Sequence, residues 1–164
     1  MAIATWTRDG GAGPDDNILF FTDQGEIAMY SGTDPSDATK WGLVGVYTVG
    51  RPIGHRCMLK VGSDCYLVTE NGLLPMTQVL GTGEAAPNVA LSDKISSSYN
   101  SSVVEFKGTF GWQGVVYPKG GYAAVNAPAS TVGDFIQYII NLETGAWSRF
   151  TNQNAYVWAV FNSD

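Results

Sequence analysis

Apolar and polar residues alternate along this chain in short runs, broken by glycine, proline, asparagine and aspartate. Alternation of period two over a few residues is the pattern of a half-buried β-strand. After a short apolar stretch, Ile3 to Trp6, comes the Gly/Pro/Asp loop "RDGGAGPDD". "NILFFTDQGEIAMYSG" then reads as strand, polar turn ending at Gly25, strand. "TDPSDATKWGLVGVYTVG" is a polar turn followed by a strand from Trp41 and Leu43 to Val49. "HRCMLKVGSDCYLVTENGLLPMTQVL" predicts three further short strands, with turns at Gly62-Ser63 and at Asn71-Gly72. Asn-Gly is the strongest short hairpin signal. Near the end, "NLETGAWSRF" (Asn141 to Phe150) predicts a hairpin with Gly145 at its tip. "NAYVWAVFN" alternates at Tyr156, Trp158 and Val160 and predicts one more strand, the opening of a further unit.

A weak repeat runs through these segments. Thr22-Asp23-Gln24-Gly25 is followed roughly 47 residues later by Thr69-Glu70-Asn71-Gly72, and after a similar step by Tyr117-Pro118-Lys119-Gly120. Each turn has apolar residues before it and alternating apolar residues after it. Short strands repeating every 40 to 50 residues are the mark of propeller blades. The expectation is an all-β, mainly antiparallel fold in one domain, 1–164, with propeller-type blades near 17–50, 55–80 and 108–152; a sandwich or an irregular β-fold is the other reading. About three blades are fewer than a closed ring usually has. One segment breaks the strand pattern. Leu91, Ile95, Tyr99, Val103 and Phe106 recur at helical spacing and predict a helix over 91–105, within an insertion at 88–106. Ser92 is its expected N-cap, with Asp93 in the first turn. Its serines (Ser96, Ser97, Ser98, Ser101, Ser102) have poor helix propensity, so packing must hold it.

Composition narrows the function classes. The 164 residues are 45% hydrophobic, 12% aromatic and only 15% charged, with 20 glycines. That suits tight turns and a packed core and argues against disorder. The formal net charge of −6 repels phosphate, so no specific nucleic-acid partner is expected. Cys57 and Cys65 flank the turn at Gly62-Ser63, which puts Lys60, not Cys57, opposite Cys65. Two free thiols in a reducing compartment follow. No signal peptide and no membrane-spanning apolar run is seen.

Candidate chemistry is sparse. The single histidine, His55, lacks the partners that a triad or a zinc site needs. Asp15-Asp16 and Asp34…Asp37 could offer oxygens to calcium. Neither stretch matches the twelve-residue calcium loop, and Asx-turn chemistry explains them more simply. Glu26, Glu70, Glu105 and Glu143 form no pair by spacing that glycoside hydrolysis would need. "GAGP" and "GTGEAAP" lack the Lys-Ser/Thr of a phosphate loop. Trp6, Trp41, Trp112, Trp147 and Trp158 alternate with small residues and read as packing residues before they read as a sugar platform. No catalytic residue, metal or cofactor is therefore expected. Trp41 and Trp147 are expected core anchors, and the hairpin tips Gly25, Gly72, Gly120 and Gly145 are the candidate contact points.

The segments "FFTDQGEIAMYSGTDPSDATKWGLVGVYTVGRPIG", "YLVTENGLLPMTQVL", "FGWQGVVYPKGGYAAVN" and "IINLETGAWSRFTNQNAYVWAVF" carry a resemblance that spans Trp6 to Asn162. Together they resemble virion structural proteins of tailed bacteriophages and prophages, of the β-propeller-like kind found in the head–tail connector or short tail. Members of that family are longer, with further blades on both sides, so the chain reads as a segment of such a protein. The resemblance implies a non-catalytic assembly module located in the virion and made in a bacterial cytoplasm. Its partners would be other virion proteins or further copies of itself, with no membrane. The alternative is a carbohydrate- or receptor-binding module of a phage tail. No active site carries over, because the shared motifs are fold motifs.

Overall fold

A computed structural model describes residues 2–7, 16–82 and 90–161. Asp15, the loop "GAGP", most of "GTGEAAP" and residues 88–89 of the helical insertion lie outside the described residues. Within them, eleven strands form three antiparallel sheets. The first is β1 (Ala2–Thr7), β2 (Asp16–Phe21), β3 (Glu26–Gly32) and β4 (Trp41–Thr48), side by side in chain order. The second is β5 (Met58–Val61), β6 (Asp64–Thr69) and β7 (Gly72–Pro75). The third is β8 (Gln113–Tyr117), β9 (Tyr122–Pro128), β10 (Phe135–Asn141) and β11 (Trp147–Thr151). Two helices, α1 (Met76–Thr82) and α2 (Ser96–Phe106), lie between the second and third sheets in the chain, and a 3-10 turn (Leu91–Ile95) leads into α2. The mainly antiparallel β architecture is the one the alternation predicts.

Local turn chemistry sets the registers. Gly62, at φ 60°, opens a two-residue turn that pairs Val61 with Asp64 and Lys60 with Cys65, as the spacing requires. Both cysteines are free and buried. The next hairpin closes one residue earlier than the Asn-Gly signal suggests. Thr69 pairs with Gly72, so Glu70 and Asn71 are the turn residues. The Thr69 hydroxyl causes the shift: it donates to the Gly72 carbonyl at 2.9 Å and accepts from the Asn71 amide at 3.2 Å. The repeated turns also differ in place. Those at Gly25 and Gly72 join the second and third strands of their sheets, whereas that at Gly120 joins the first and second strands of the third sheet.

One hydrophobic core runs through all three sheets. The second sheet sits between the others. The Trp6 indole donates to Asp64 at 3.1 Å on one side, and Arg56 bridges to Gln113 on the other. Tyr99 of α2 stands at the centre, 1% exposed, with its ring against Trp112 and Tyr138 and its hydroxyl donating to the Thr69 carbonyl at 2.7 Å. The serines of α2 find work on its inner side. Ser98 and Ser102, one turn apart, share hydrogen bonds with the Tyr138 hydroxyl at 3.1 and 2.8 Å. Ser92 is not the helix cap. It is buried within the 3-10 turn, where its hydroxyl accepts from the Leu73 amide at 3.1 Å and ties the insertion to β7.

Both expected tryptophan anchors lie at the margin of the core. Trp147 is half-buried against it and donates its indole N–H to the Leu91 carbonyl at 2.9 Å. Trp41 is half-buried on the outer face of the first sheet, away from the core, where it stacks on Tyr30 and no other described element covers it.

The final segment is not a strand. Residues 155–161 have no ladder pairing and bend at Tyr156; side chains take the place of a neighbouring backbone. Gln113 donates to the Trp158 carbonyl at 2.8 Å and accepts from its amide at 2.9 Å. Asn126, fully buried, donates to the carbonyls of Gly111 and Ala155 at 2.9 and 3.0 Å. Its oxygen accepts from Gln137 at 2.7 Å and from the Trp158 indole at 3.0 Å.

The buried acids of the core make stability fall in alkali. Burial, reinforced by the Asp64 carboxylate, pushes the Cys65 thiol up to about 11, and burial also raises Cys57 and Tyr99. The folded chain thus keeps protons that the unfolded chain releases from about pH 8.5 upward. Stability is full below that pH and is lost as pH climbs through 9 to 11, with Cys65 alone contributing about 3 kcal/mol. Denaturant midpoints measured from pH 7.5 to 11 should decline, and Cys65→Ala should flatten the decline. A constant midpoint would contradict this burial.

Candidate functional site

The first sheet has one covered and one open face. Asn17, Leu19 and Phe21 of β2 and Ile27 and Met29 of β3 are buried, so Ile18, Phe20, Ala28 and Tyr30 fall on the opposite side. β1 follows suit: Trp6 turns in and Ile3 turns out, 56% exposed. Register lines up Ile3, Phe20, Ala28 and Val46 as one apolar row across all four strands. Beside it, Tyr30 meets Phe20 edge-on at 5.6 Å and stacks on Trp41 at 6.1 Å. Phe20, Ala28, Tyr30 and Trp41 wall a shallow hollow.

Among the described residues, this face continues to an open edge. β4 is the longest of the strands that border a sheet, and its sequence, WGLVGVYT, holds no charge and no proline. Leu43, Val44 and Val46 are 52%, 53% and 58% exposed. Natural sheets blunt such edges with charge, proline or bulges. β4 has one of these devices. Its register against β3 shifts between Met29 and Tyr30, which makes Val44 an extra residue and leaves 45–48 as the uninterrupted run. An apolar face beside an uncharged edge can bury surface and add backbone hydrogen bonds. Alternation also puts the exposed Glu26, at the start of β3, on this face.

The other candidates are scattered. His55 is exposed in the loop between β4 and β5. Glu26 begins β3, Glu70 lies in the β6–β7 turn and pairs with Lys107 at 3.2 Å, Glu105 is on α2, and Glu143 is in the β10–β11 turn. Asp34 and Asp37 are taken up by their own turns. Asp34 accepts from the amide and hydroxyl of Ser36, and Asp37 from those of Thr39, which holds both carboxyls below the usual carboxylate range. Among the described residues, no three His, Cys, Asp or Glu side chains gather as a metal site.

The four tip glycines divide. Gly25 and Gly72 are buried and serve close approach inside the fold. A Cβ on Gly25 (φ 87°) would strike the Val49 carbonyl, and one on Gly72 (φ 128°) would strike Ser92 and Ala90. Gly120 is exposed but wedged against Tyr117 and Tyr122, and Gly145 (φ 66°) faces open space. Gly25→Ala and Gly72→Ala should each cost several kcal/mol, from strain plus collision, whereas Gly145→Ala should cost about 1 kcal/mol from the left-handed backbone alone. Thermal unfolding of the three variants checks this order; equal losses would contradict it.

Residues that matter here escape a sequence reading. Leu43 and Val46 look like ordinary strand residues, since alternation shows which side chains share a face and not whether the face is covered. Asn126 and Gln137 are lone amides inside apolar runs, "YAAVNAP" and "DFIQYIIN", and that isolation is the signal that could have marked them. No family model matches the chain, and no curated protein matches it significantly.

Proposed function

We propose that this chain is a non-catalytic assembly module whose copies join through the open face of the first sheet and the β4 edge. The observation that carries this reading is the apolar, uncharged border strand with Leu43, Val44 and Val46 exposed beside the row Ile3, Phe20, Ala28 and Val46. A second copy is the occupant that fits. Antiparallel pairing of β4 with its own twin is two-fold symmetric and self-complementary. An uncharged strand sets no like charge against itself, although the chain carries −6 overall. The face offers an apolar patch on the order of several hundred Å², of the size that marks interaction sites on monomers.

The three sheets follow one another as meanders of consecutive strands, as propeller blades do. That supports reading them as blades of an array that neighbouring copies extend. The resemblance to phage virion proteins supports placing the assembly in a phage particle, made in a bacterial cytoplasm.

Leu43→Lys and Val46→Lys test the surface. Both positions are exposed, so each substitution should change folding stability by no more than about 0.5 kcal/mol. Each should weaken association at least about tenfold in sedimentation velocity, because a desolvated lysine opposes burial. Unaltered association in both variants would rule this face out.

A further inference from the structure

A second feature, independent of the assembly surface, lies where the second and third sheets meet. The loop before β5 and the turn between α2 and β8 wall a cleft of about 240 Å³. His55 and Arg56 come from the loop and Lys107 from the turn, and no carboxylate lines the space between them. The chain has nine Lys and Arg against fifteen Asp and Glu, yet two of those cations and the single histidine meet in this cleft.

Arg56 carries the argument. It is half-buried, and its carbonyl accepts from the Gly114 amide at 2.9 Å, which fixes its backbone to β8. Its Nη2 donates to the Tyr156 carbonyl at 3.0 Å, and the guanidinium carbon lies 5.1 Å from the centre of the Phe110 ring. These contacts hold the guanidinium in place and bring no negative charge to it. Among the described residues the ion pairs are Lys40–Asp37 and Lys107–Glu70, so Arg56 has no counter-charge. Its Nε and Nη1 have no hydrogen-bond partner. Both are open to solvent, since the buried side-chain polar atom left without a partner is Gln137 Oε1, on the third sheet. A half-buried cation short of both water and counter-charge favours an anion that supplies the missing contacts.

The surroundings fit an anion. Lys107 is 53% exposed, and its pair with Glu70 at 3.2 Å is a weak surface contact that leaves the ammonium free to serve a ligand. The end of α2 does not oppose one: the Phe106 carbonyl is taken by the Thr109 amide at 2.9 Å and by the Trp112 indole at 2.8 Å. His55 is exposed, and its ring has no partner among the described residues. We propose that this cleft binds a small phosphate-type dianion, free or as the end group of a small ester, with an oxygen on an unpartnered Arg56 nitrogen and its charge towards Lys107 and His55. Two cations match two negative charges, and tetrahedral oxygens reach donors on separate walls. At roughly 30 Å³ for each water-sized group, the volume takes on the order of eight non-hydrogen atoms.

Inorganic phosphate and methyl phosphate are the probes, titrated into the full chain by NMR at constant ionic strength, with chloride as the reference anion. Phosphate should shift the Arg56 Nε–H and the His55 ring signals saturably, and chloride should not. Methyl phosphate binding as well as phosphate supports a site for an ester end group; phosphate binding alone supports a site for the free ion. Arg56→Gln should weaken binding at least about tenfold, because a charge-assisted hydrogen bond is lost. Lys107→Gln should weaken it about threefold, as an exposed charge does. Arg56 also holds Tyr156, so the double variant His55→Gln/Lys107→Gln, at exposed positions, provides a second test and should bind at least about fivefold more weakly with unfolding unchanged. Four results would each overturn the proposal: no saturable shift with either phosphate, the same shift with chloride, acetate binding as tightly as phosphate, or undiminished binding in both Arg56→Gln and the double variant.

Discussion

Tyr99→Ala is expected to remove about 4 kcal/mol of stability, enough to unfold a marginal domain at room temperature. The ring is 1% exposed and fills the space where α2, Trp112 and Tyr138 meet. Truncation to Ala deletes the transfer energy of an aromatic ring and leaves a cavity that three separate elements would have to close. The hydroxyl adds a second, separable loss. It donates to the Thr69 carbonyl at 2.7 Å, at the turn where β6 passes into β7. Tyr99→Phe keeps the ring and leaves that carbonyl short of a donor, for about 1–2 kcal/mol. Chemical denaturation of both variants separates packing from polarity. A loss of less than 1 kcal/mol for Tyr99→Ala would show that α2 does not close the core.

Asn126→Ala is the second large effect, at about 3–4 kcal/mol. One fully buried amide meets four partners, and each loses its contact at once: the carbonyls of Gly111 and Ala155, the Gln137 amide and the Trp158 indole. Two of these belong to the segment that has no strand partner, so the variant should also release residues 155–161 from the sheet. Amide hydrogen exchange should rise at Trp158, whose N–H is held by Gln113 of β8. Asn126→Asp keeps the volume but turns an oxygen towards two carbonyls, and it should be at least as damaging. Near-native stability in both variants would mean that the segment is held by apolar contact alone.

Much of this architecture is written in the sequence, for identifiable reasons. Turns such as Gly62-Ser63 and that at Gly145 are legible because a left-handed backbone selects glycine. The helix at Tyr99 and Val103 is legible because two buried turns need apolar residues four apart. The hairpin at Thr69 slips by one residue because a side-chain hydroxyl, invisible to a Gly-based rule, closes it early. Tyr156, Trp158 and Val160 alternate like a strand, but strand pairing depends on a neighbour, and the neighbour here offers side-chain amides instead. The candidate surface was the least legible part. Trp41 has the same alternation as a buried residue, and it stays outside the core because it lies with Tyr30 on the face of the first sheet turned away from it. The unpaired Gln137 oxygen is equally silent, because its isolation follows from contacts made by residues 11 and 16 positions away.

The assembly reading is tested most directly by the solution mass of the chain in light scattering over a wide concentration series. The expected result is a rise from 17.5 kDa to a discrete multiple, reversed by Val46→Lys. A constant mass of one chain at every concentration would contradict self-association through the β4 face.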